Sequence, residues 1–335
     1  MKPNDLPVSI ARDMALRHSG ASRAFIDTLR GPGPADFERA PLQTAPGRFI
    51  SGTHSNSLGS RDYKLYIPAT HCGQPMPLIV MLHGCQQDPD DFAVGTRMND
   101  WADAHGFLVA YPRQTFRSNG ANCWNWYEPA QQKRSGQEPS LIAGMVKAIG
   151  RDWAVAPKQV FVAGLSAGAA MAVILGQTYP ALFAGVAAHS GLPRGAAQDV
   201  GSAFAAMQGR GGASAMLPYA RSAKAVRTLI VHGDADRTVQ VGNGHAIAQQ
   251  VVQAFRRNKT PLLARTGAPD TLDDNGATRT DYVAPTGQVM VRECIVKGGG
   301  HAWYGGCTAG SFTQATGPDS SAEIVRFFLN QEPAQ

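Results

Sequence analysis

The chain has no run of about 18 consecutive apolar residues, so no membrane span is expected. Its longest apolar stretch, Phe161 to Gly176, is interrupted by Ser166. No apolar h-region follows the basic residues of the N-terminus, so no signal peptide is read there and a cytoplasmic location is expected. No Lys/Arg run with interleaved aromatics occurs, which argues against a nucleic-acid partner. No Cys-x-x-Cys pair is present, so no thiolate metal centre is expected. The five cysteines (Cys72, Cys85, Cys123, Cys294 and Cys307) are odd in number, so at least one is unpaired. Reduced, buried thiols fit a cytoplasmic protein. In an oxidising compartment the expected pairs are Cys85–Cys123 and Cys294–Cys307.

Charge is also sparse. Charged residues make up 17% of the 335 residues against 43% hydrophobic, which supports a sizeable core and argues against disorder. The net charge of +6 reads as a solvated basic surface, which would also favour acidic or polymeric substrates. The length suits one α/β domain with insertions, and 37 glycines and 22 prolines imply many turns.

What is present centres on Gly164-Leu165-Ser166-Ala167-Gly168. Gln159–Ala163 before it is a short run rich in β-branched and aromatic residues, which predicts a buried strand. Ala169–Leu175 after it is Ala-rich and predicts a buried helix. A serine on a sharp strand-to-helix turn needs small neighbours, hence glycine two residues before and after it. A glycine-rich turn that merely contains serine is the plainer alternative, and the flanking strand and helix argue against it.

In chain order, residues 1 to 45 predict a helical extension, with apolar residues at helical spacing up to Leu29 and a Gly31-Pro-Gly-Pro stop. Packing on the main domain is the plain expectation for it. Docking on an apolar granule is the alternative. The main domain is expected over 46–332. Arg48–Thr53 and Tyr63–Ile67 predict a hairpin, and Pro77–His83 a buried parallel strand. A helix closing at His105 and a strand at Phe107–Pro112 continue the βαβ rhythm. A helix is predicted over 140–153, with Leu141, Met145, Ile149 and Trp153 on one side. Buried strands follow at 183–189 and 227–232, then a helix at 244–257, strands at 280–283 and 289–296, and a closing helix at 320–329. Residues 192–224 are Gly-, Ala- and Met-rich with weak periodicity and suit a cap or mobile loop beside a pocket, and 262–279 read as polar and turn-rich.

A nucleophilic serine needs a base and a group that orients the base. Asp236 follows the strand 227–232 and His301 follows the strand 289–296, in the order Ser, Asp, His. Both stand at the carboxyl ends of predicted parallel strands, where open α/β sheets bind ligands. Asp234 shares a turn with Asp236, and spacing alone does not separate them; Asp234 suits a turn-holding role, which favours Asp236. His245 lies within a predicted helix. His83 and His232 are expected to fix loops at strand ends, and His189 to line the sheet top. The oxyanion donors expected are the backbone amides of Ala167 and Cys85. Trp124, Trp126 and Trp303 are candidates for a substrate-facing wall, although tryptophan also staples loops onto a core.

The motifs Leu82-His-Gly-Cys-Gln-Gln, Cys123-Trp-Asn-Trp-Tyr, Gly164-Leu-Ser-Ala-Gly, His232-Gly-Asp-Ala-Asp236, Gly300-His-Ala-Trp303 and Gly317-Pro-Asp-Ser-Ser together resemble the polyhydroxybutyrate depolymerase family of esterases. Feruloyl and acetylxylan esterases belong to the same family. The resemblance covers roughly residues 45–330. It implies an α/β-hydrolase fold, a mostly parallel central sheet with helices on both faces. It also implies a Ser166, Asp236 and His301 triad, ester substrates, and no metal or organic cofactor. A short-chain polyhydroxyalkanoate polymer or oligomer is the leading substrate expectation. Feruloyl or acetyl esters of plant polysaccharide come second and a general carboxylesterase third. A non-catalytic polyester-granule binding protein is the rival from another class. Members of the family are often secreted, which makes secretion the alternative location. No added substrate-binding domain is found, which argues against efficient attack on crystalline polymer.

Overall fold

Alternating burial on both sides of a strand needs apolar residues at every position, and Met76–Leu82 supplies them. In the computed structural model, which describes residues 47–210, 224–267 and 276–330, this strand lies inside a ten-stranded sheet. The described residues fall within one compact unit, Gln43–Glu332. The extension expected over 1–45, with the granule contact attached to it, lies outside the described residues.

The strands are β1 (Arg48–Asn56), β2 (Gly59–Ile67), β3 (Met76–Leu82), β4 (Leu108–Pro112), β5 (Val155–Leu165), β6 (Gly185–His189), β7 (Arg227–Gly233), β8 (Leu263–Gly267), β9 (Ala277–Val283) and β10 (Val289–Val296). Their spatial order is β1-β2-β4-β3-β5-β6-β7-β10-β9-β8. The run β4-β3-β5-β6-β7-β10 is parallel throughout. Antiparallel pairs flank it, β1 and β2 at one edge and β9 and β8 at the other. A short pair, β11 (Trp303–Tyr304) and β12 (Thr313–Gln314), stands apart.

The helices are α1 (Pro89–Thr96), α2 (Met98–His105), α3 (Gln137–Asp152), α4 (Ala167–Thr178), α5 (Val200–Met207), α6 (Gly242–Arg257) and α7 (Ser320–Leu329). Two cores result, one on each face of the sheet. Leu78, Val80 and Leu82 of β3 pack with Ile142, Met145 and Ile149 of α3, with α4, and with Ile247 and Val251 of α6. Ile79 and Met81 face the other way, towards Phe92 of α1, Met98 and Trp101 of α2, and Phe327 and Phe328 of α7. The alternation along β3 thus sends successive side chains into opposite cores.

Caps fix several helix ends. Gly106 takes φ 69° to close α2 through its N–H on Ala102 O. The Asp319 carboxylate caps α7 by accepting from Ala322 N at 2.9 Å. Five elements went unread in the sequence, α1, α5, β8 and the two-residue strands β11 and β12. The acid-rich start of α1 masks a helix that Asp88 caps by accepting from Asp90 N and Asp91 N. The eight residues of α5 are too few to display a period, although Asp199 and Ser202 form a reciprocal capping box there. Strand β8 is an exposed edge with polar residues, which erases the apolar signal of a strand.

Candidate active site

Ser166 sits between β5 and α4 with φ 57° and ψ −118°, a strained turn. The glycines two residues before and two after it allow this by having no side chains. A Cβ on Gly164 would meet Gly168 C and O at 2.5 Å, and one on Gly168 would meet Leu82 O at 2.1 Å. Glycine is therefore a steric requirement at both positions. The Ser166 N–H donates to His189 O at 2.9 Å, which ties the turn to the neighbouring strand.

Asp236 follows β7 and is buried. One carboxylate oxygen accepts from Thr238 N at 2.9 Å and Val239 N at 2.8 Å. The other lies 2.7 Å from His301 Nδ1 and 3.5 Å from His232 Nε2. Burial pushes the Asp236 carboxyl up, but the hydrogen bonds from His232 and His301, the charge of His301 and the Val239 amide outweigh it and hold it well below the usual carboxylate range. Asp236 is thus an anion between two imidazoles, with that of His301 the nearer. Asp234 does different work, accepting from Gly298 N at 2.6 Å and so bracing the loop that carries His301.

Ser166 and His301 line one cavity of about 520 Å³. No hydrogen bond joins the two among the described residues; such bonds in unliganded sites often close only with substrate. The loop after β3 carries several backbone N–H groups over Gly84–Gln87, all but one of them already bonded. Gly84 N donates to Gln87 Oε1 at 2.9 Å, Gln86 N to Ala121 O at 2.7 Å, and Gln87 N to Gly84 O at 3.4 Å. Cys85 N–H alone in this loop segment has no partner among the described residues. Ala167, as the first residue of α4, likewise has no acceptor within its helix. Both N–H groups belong to segments that wall the cavity beside Ser166. Cys85 is disulfide-bonded to Cys123, which joins this loop to the aromatic loop.

Four other histidines make structural contacts. His83 donates from Nδ1 to Gly84 O and accepts at Nε2 from Gln114 N, and burial pushes its pKa down to about 4. His232 holds Val239 O at 2.8 Å. His189 at the end of β6 is buried, hydrogen-bonded to Ser190 and Ser320 hydroxyls, and held well below its ordinary value by burial and then by His232 and His301. His245 is half exposed on α6 and pairs with Glu293 at 2.7 Å.

Two expectations for the substrate wall are corrected. Trp124 and Trp303 are fully buried and do not reach the cavity. Trp124 donates to His83 O at 3.1 Å and staples the aromatic loop. Trp303 donates to Ser321 Oγ at 3.1 Å and stacks on His189. Only Trp126 of the three faces the cavity, with Tyr127 beside it. The pairing Cys294–Cys307 is also corrected: both are free, Cys294 lying inside the core on β10, while Cys307 N donates to Gly95 O of α1.

The opposite wall comes from residues that the sequence did not single out. Val200, Ala203, Phe204 and Met207 of α5 face the cavity, as does Phe312. Val200, Phe204 and Phe312 are 55%, 64% and 41% exposed, an apolar rim. This helix belongs to the segment expected to border a pocket; residues 211–223 of that segment lie outside the described residues. The capping box at Asp199 was the one local signal for it.

A parallel sheet with flanking helices, a strained serine turn after β5, an acid after β7 and a histidine after β10 together define an α/β-hydrolase fold. A solved acetyl xylan esterase from Aspergillus awamori has that fold in common with it, with a TM-score of 0.64 over 83% of this chain and 98% of that chain at 21% identity. Residues 61–278 match the family described as esterase PHB depolymerase, and the chain belongs to that family. It is 31% identical over 241 residues to a poly(3-hydroxyalkanoate) depolymerase C from Paucimonas lemoignei, covering 67% of this chain and 54% of that protein. It is 33% identical over 144 residues to feruloyl esterase B from Neurospora crassa, covering 43% and 48%. The chain thus spans about half the length of these relatives.

Proposed function

We propose that the protein is a serine ester hydrolase working through an acyl-enzyme. The observation that carries the reading is the Asp236–His301 pair opening into the cavity that Ser166 lines from its strained turn. Ser166 Oγ attacks the ester carbonyl carbon while His301 Nε2 takes the hydroxyl proton. Asp236 holds the Nδ1–H tautomer and stabilises the imidazolium that forms. The Cys85 and Ala167 amides receive the oxyanion, a role worth roughly 10²–10³ in rate per donor. Collapse breaks the carbon–oxygen bond, and His301 returns the proton to the leaving alkoxide. Water then attacks the acyl-enzyme by the same route, releasing the acid and restoring Ser166.

The substrate we favour is a short-chain polyhydroxyalkanoate, as polymer or oligomer. Family membership, the depolymerase relative and the apolar rim of Val200, Phe204 and Phe312 support it. A feruloyl or acetyl ester of polysaccharide is the second reading, supported by the feruloyl esterase relative. The Cys85–Cys123 disulfide supports an oxidising compartment over the cytoplasm. Among the described residues no helix is long and apolar enough to cross a membrane.

The test is a substrate panel: 3-hydroxybutyrate dimer and trimer, amorphous polyhydroxybutyrate, methyl ferulate, acetylated xylan and p-nitrophenyl butyrate. Release of hydroxybutyrate by wild type and not by Ser166→Ala is the expected result. Serine-dependent release of ferulate or acetate alone would move the assignment to the polysaccharide esterases. Retention of all biological activity by Ser166→Ala would favour a non-catalytic granule-binding protein.

A further inference from the structure

Gln87 is buried at 2% exposure, yet it touches the cavity floor and belongs to none of the catalytic groups named above. Its side-chain amide is fully engaged. Oε1 accepts from Gly84 N at 2.9 Å. Nε2 donates to Asp91 Oδ2 at 3.0 Å and to Ser311 O at 2.9 Å, with Ser311 Oγ at 3.3 Å. These partners fix the orientation of the amide, since a backbone N–H needs an acceptor and a carbonyl needs a donor. Asp91 in turn accepts from Ser311 N at 2.8 Å and Ser311 Oγ at 2.6 Å. The continuous stretch from the loop after β3 into α1 and the distant loop that carries Phe312 therefore meet on one side chain.

The contact matters because of what lies beside it. A side chain on Gly84 would meet Gln87 Oε1 at 3.1 Å and Ser166 Cβ at 3.7 Å, so this loop lies directly against the nucleophile. Gln87 occupies the Gly84 N–H, and Ala121 O occupies the Gln86 N–H. The amide left between them is that of Cys85. We propose that Gln87 is a positioning residue for the oxyanion hole: it holds the His83–Gly84 peptide through the Gly84 N–H, so that the N–H of the next peptide, that of Cys85, alone is presented to the oxyanion. The proposal rests on the serine-hydrolase reading. An oxyanion donor acts only where the oxygen will stand, so a loop displaced by a fraction of an ångström loses transition-state binding while leaving ground-state binding in place.

The test compares Gln87→Met, Gln87→Glu and Gln87→Asn with wild type. Met matches the volume and removes every polar contact. Glu keeps an acceptor for Gly84 N–H but sets a second carboxylate against Asp91, so it is the least stable of the set. Asn keeps the amide, one methylene too short to reach both loops, and is the variant chosen to survive if the others do not fold. Three quantities are read: kcat and KM on p-nitrophenyl butyrate, the melting temperature, and the rate at which a p-nitrophenyl alkylphosphonate labels Ser166 by mass spectrometry. In that labelling Ser166 Oγ bonds to phosphorus and nitrophenolate leaves.

The expected result is a loss of about 10²-fold in kcat for Met and at least tenfold for Asn, with KM within twofold. Labelling slows in proportion. Glu retains more kcat than Met although it melts lower, which separates positioning from stability. A kcat order that follows the melting order, or unchanged kcat and labelling in folded Met or Asn variants, would overturn the proposal and leave the hydrolase reading standing. A folded wild type that neither hydrolyses the ester nor is labelled at Ser166 would overturn the hydrolase reading and this proposal with it.

Discussion

His301 Nδ1 lies 2.7 Å from Asp236 Oδ2, although 65 residues separate the two in the chain. The other acid of the same turn, Asp234, faces Gly298 N instead. The two carboxylates therefore differ in the property each controls. Asp236→Asn should lower kcat by about 10⁴, because the wrong imidazole tautomer is then held. Asp234→Asn should leave kcat within a few-fold and lower the melting temperature. Steady-state kinetics and melting of both variants check this, and the reverse pattern would exchange the roles.

The Cys85–Cys123 bridge joins the oxyanion loop to the loop that carries Trp126. In denaturant without reductant the chain should therefore show three titratable thiols, Cys72, Cys294 and Cys307, and five after reduction. A bridge closing 38 residues is worth about 4 kcal/mol in the chain-entropy account. The Cys85→Ser, Cys123→Ser double variant should lose most of that stability, as read by urea unfolding. Its kcat should fall further than its KM rises. Five thiols before reduction would contradict the bridge.

Burial holds the folded His83 at about 4 and His189 well below its ordinary value of 6.5. His83 has a further reason to stay neutral, since Nε2 accepts from Gln114 N and a proton there would oppose that N–H. Between pH 6.5 and 4 the unfolded chain binds more protons at these sites than the folded one does. Their contribution to stability is thus complete above pH 6.5 and is lost as pH falls, by at most about 1.4 kcal/mol per pH unit for each histidine. Urea midpoints from pH 7 to 4.5 should fall, and more shallowly in His83→Gln. An equal slope in the variant would contradict the assignment.

The three tryptophans should separate in the same way as their surroundings. Trp124→Ala and Trp303→Ala each remove a fully buried side chain and should cost about 3–5 kcal/mol. Trp126→Leu should raise KM several-fold at a smaller cost in stability, because the ring faces the cavity. Kinetics with urea unfolding on each variant decide it.

How far the sequence carried the reading depends on where the physical signal resides. The parallel strands were legible because a strand buried on both faces must be largely apolar, as β3 is throughout and β7 is over Leu229–Val231. The serine turn was legible because its glycines are forced by contacts of 2.1–2.5 Å. Asp236 and His301 were legible by their places after β7 and β10. The fate of the tryptophans was not, because a loop ring turns inward or outward according to distant partners, here His83 O and Ser321 Oγ. Gln87 was inside a motif already noted, but its role depends on Ser311, 224 residues away. Cys294 looked pairable, yet β10 aims it into the core.

The measurement that bears most directly on the account is the turnover of 3-hydroxybutyrate trimer by wild type and by folded Ser166→Ala. The account predicts that wild type releases hydroxybutyrate and that the variant loses at least about 10⁴-fold in kcat, since catalytic-serine removal elsewhere costs up to about 10⁶. Equal turnover by a folded Ser166→Ala would contradict the assignment of Ser166 as nucleophile.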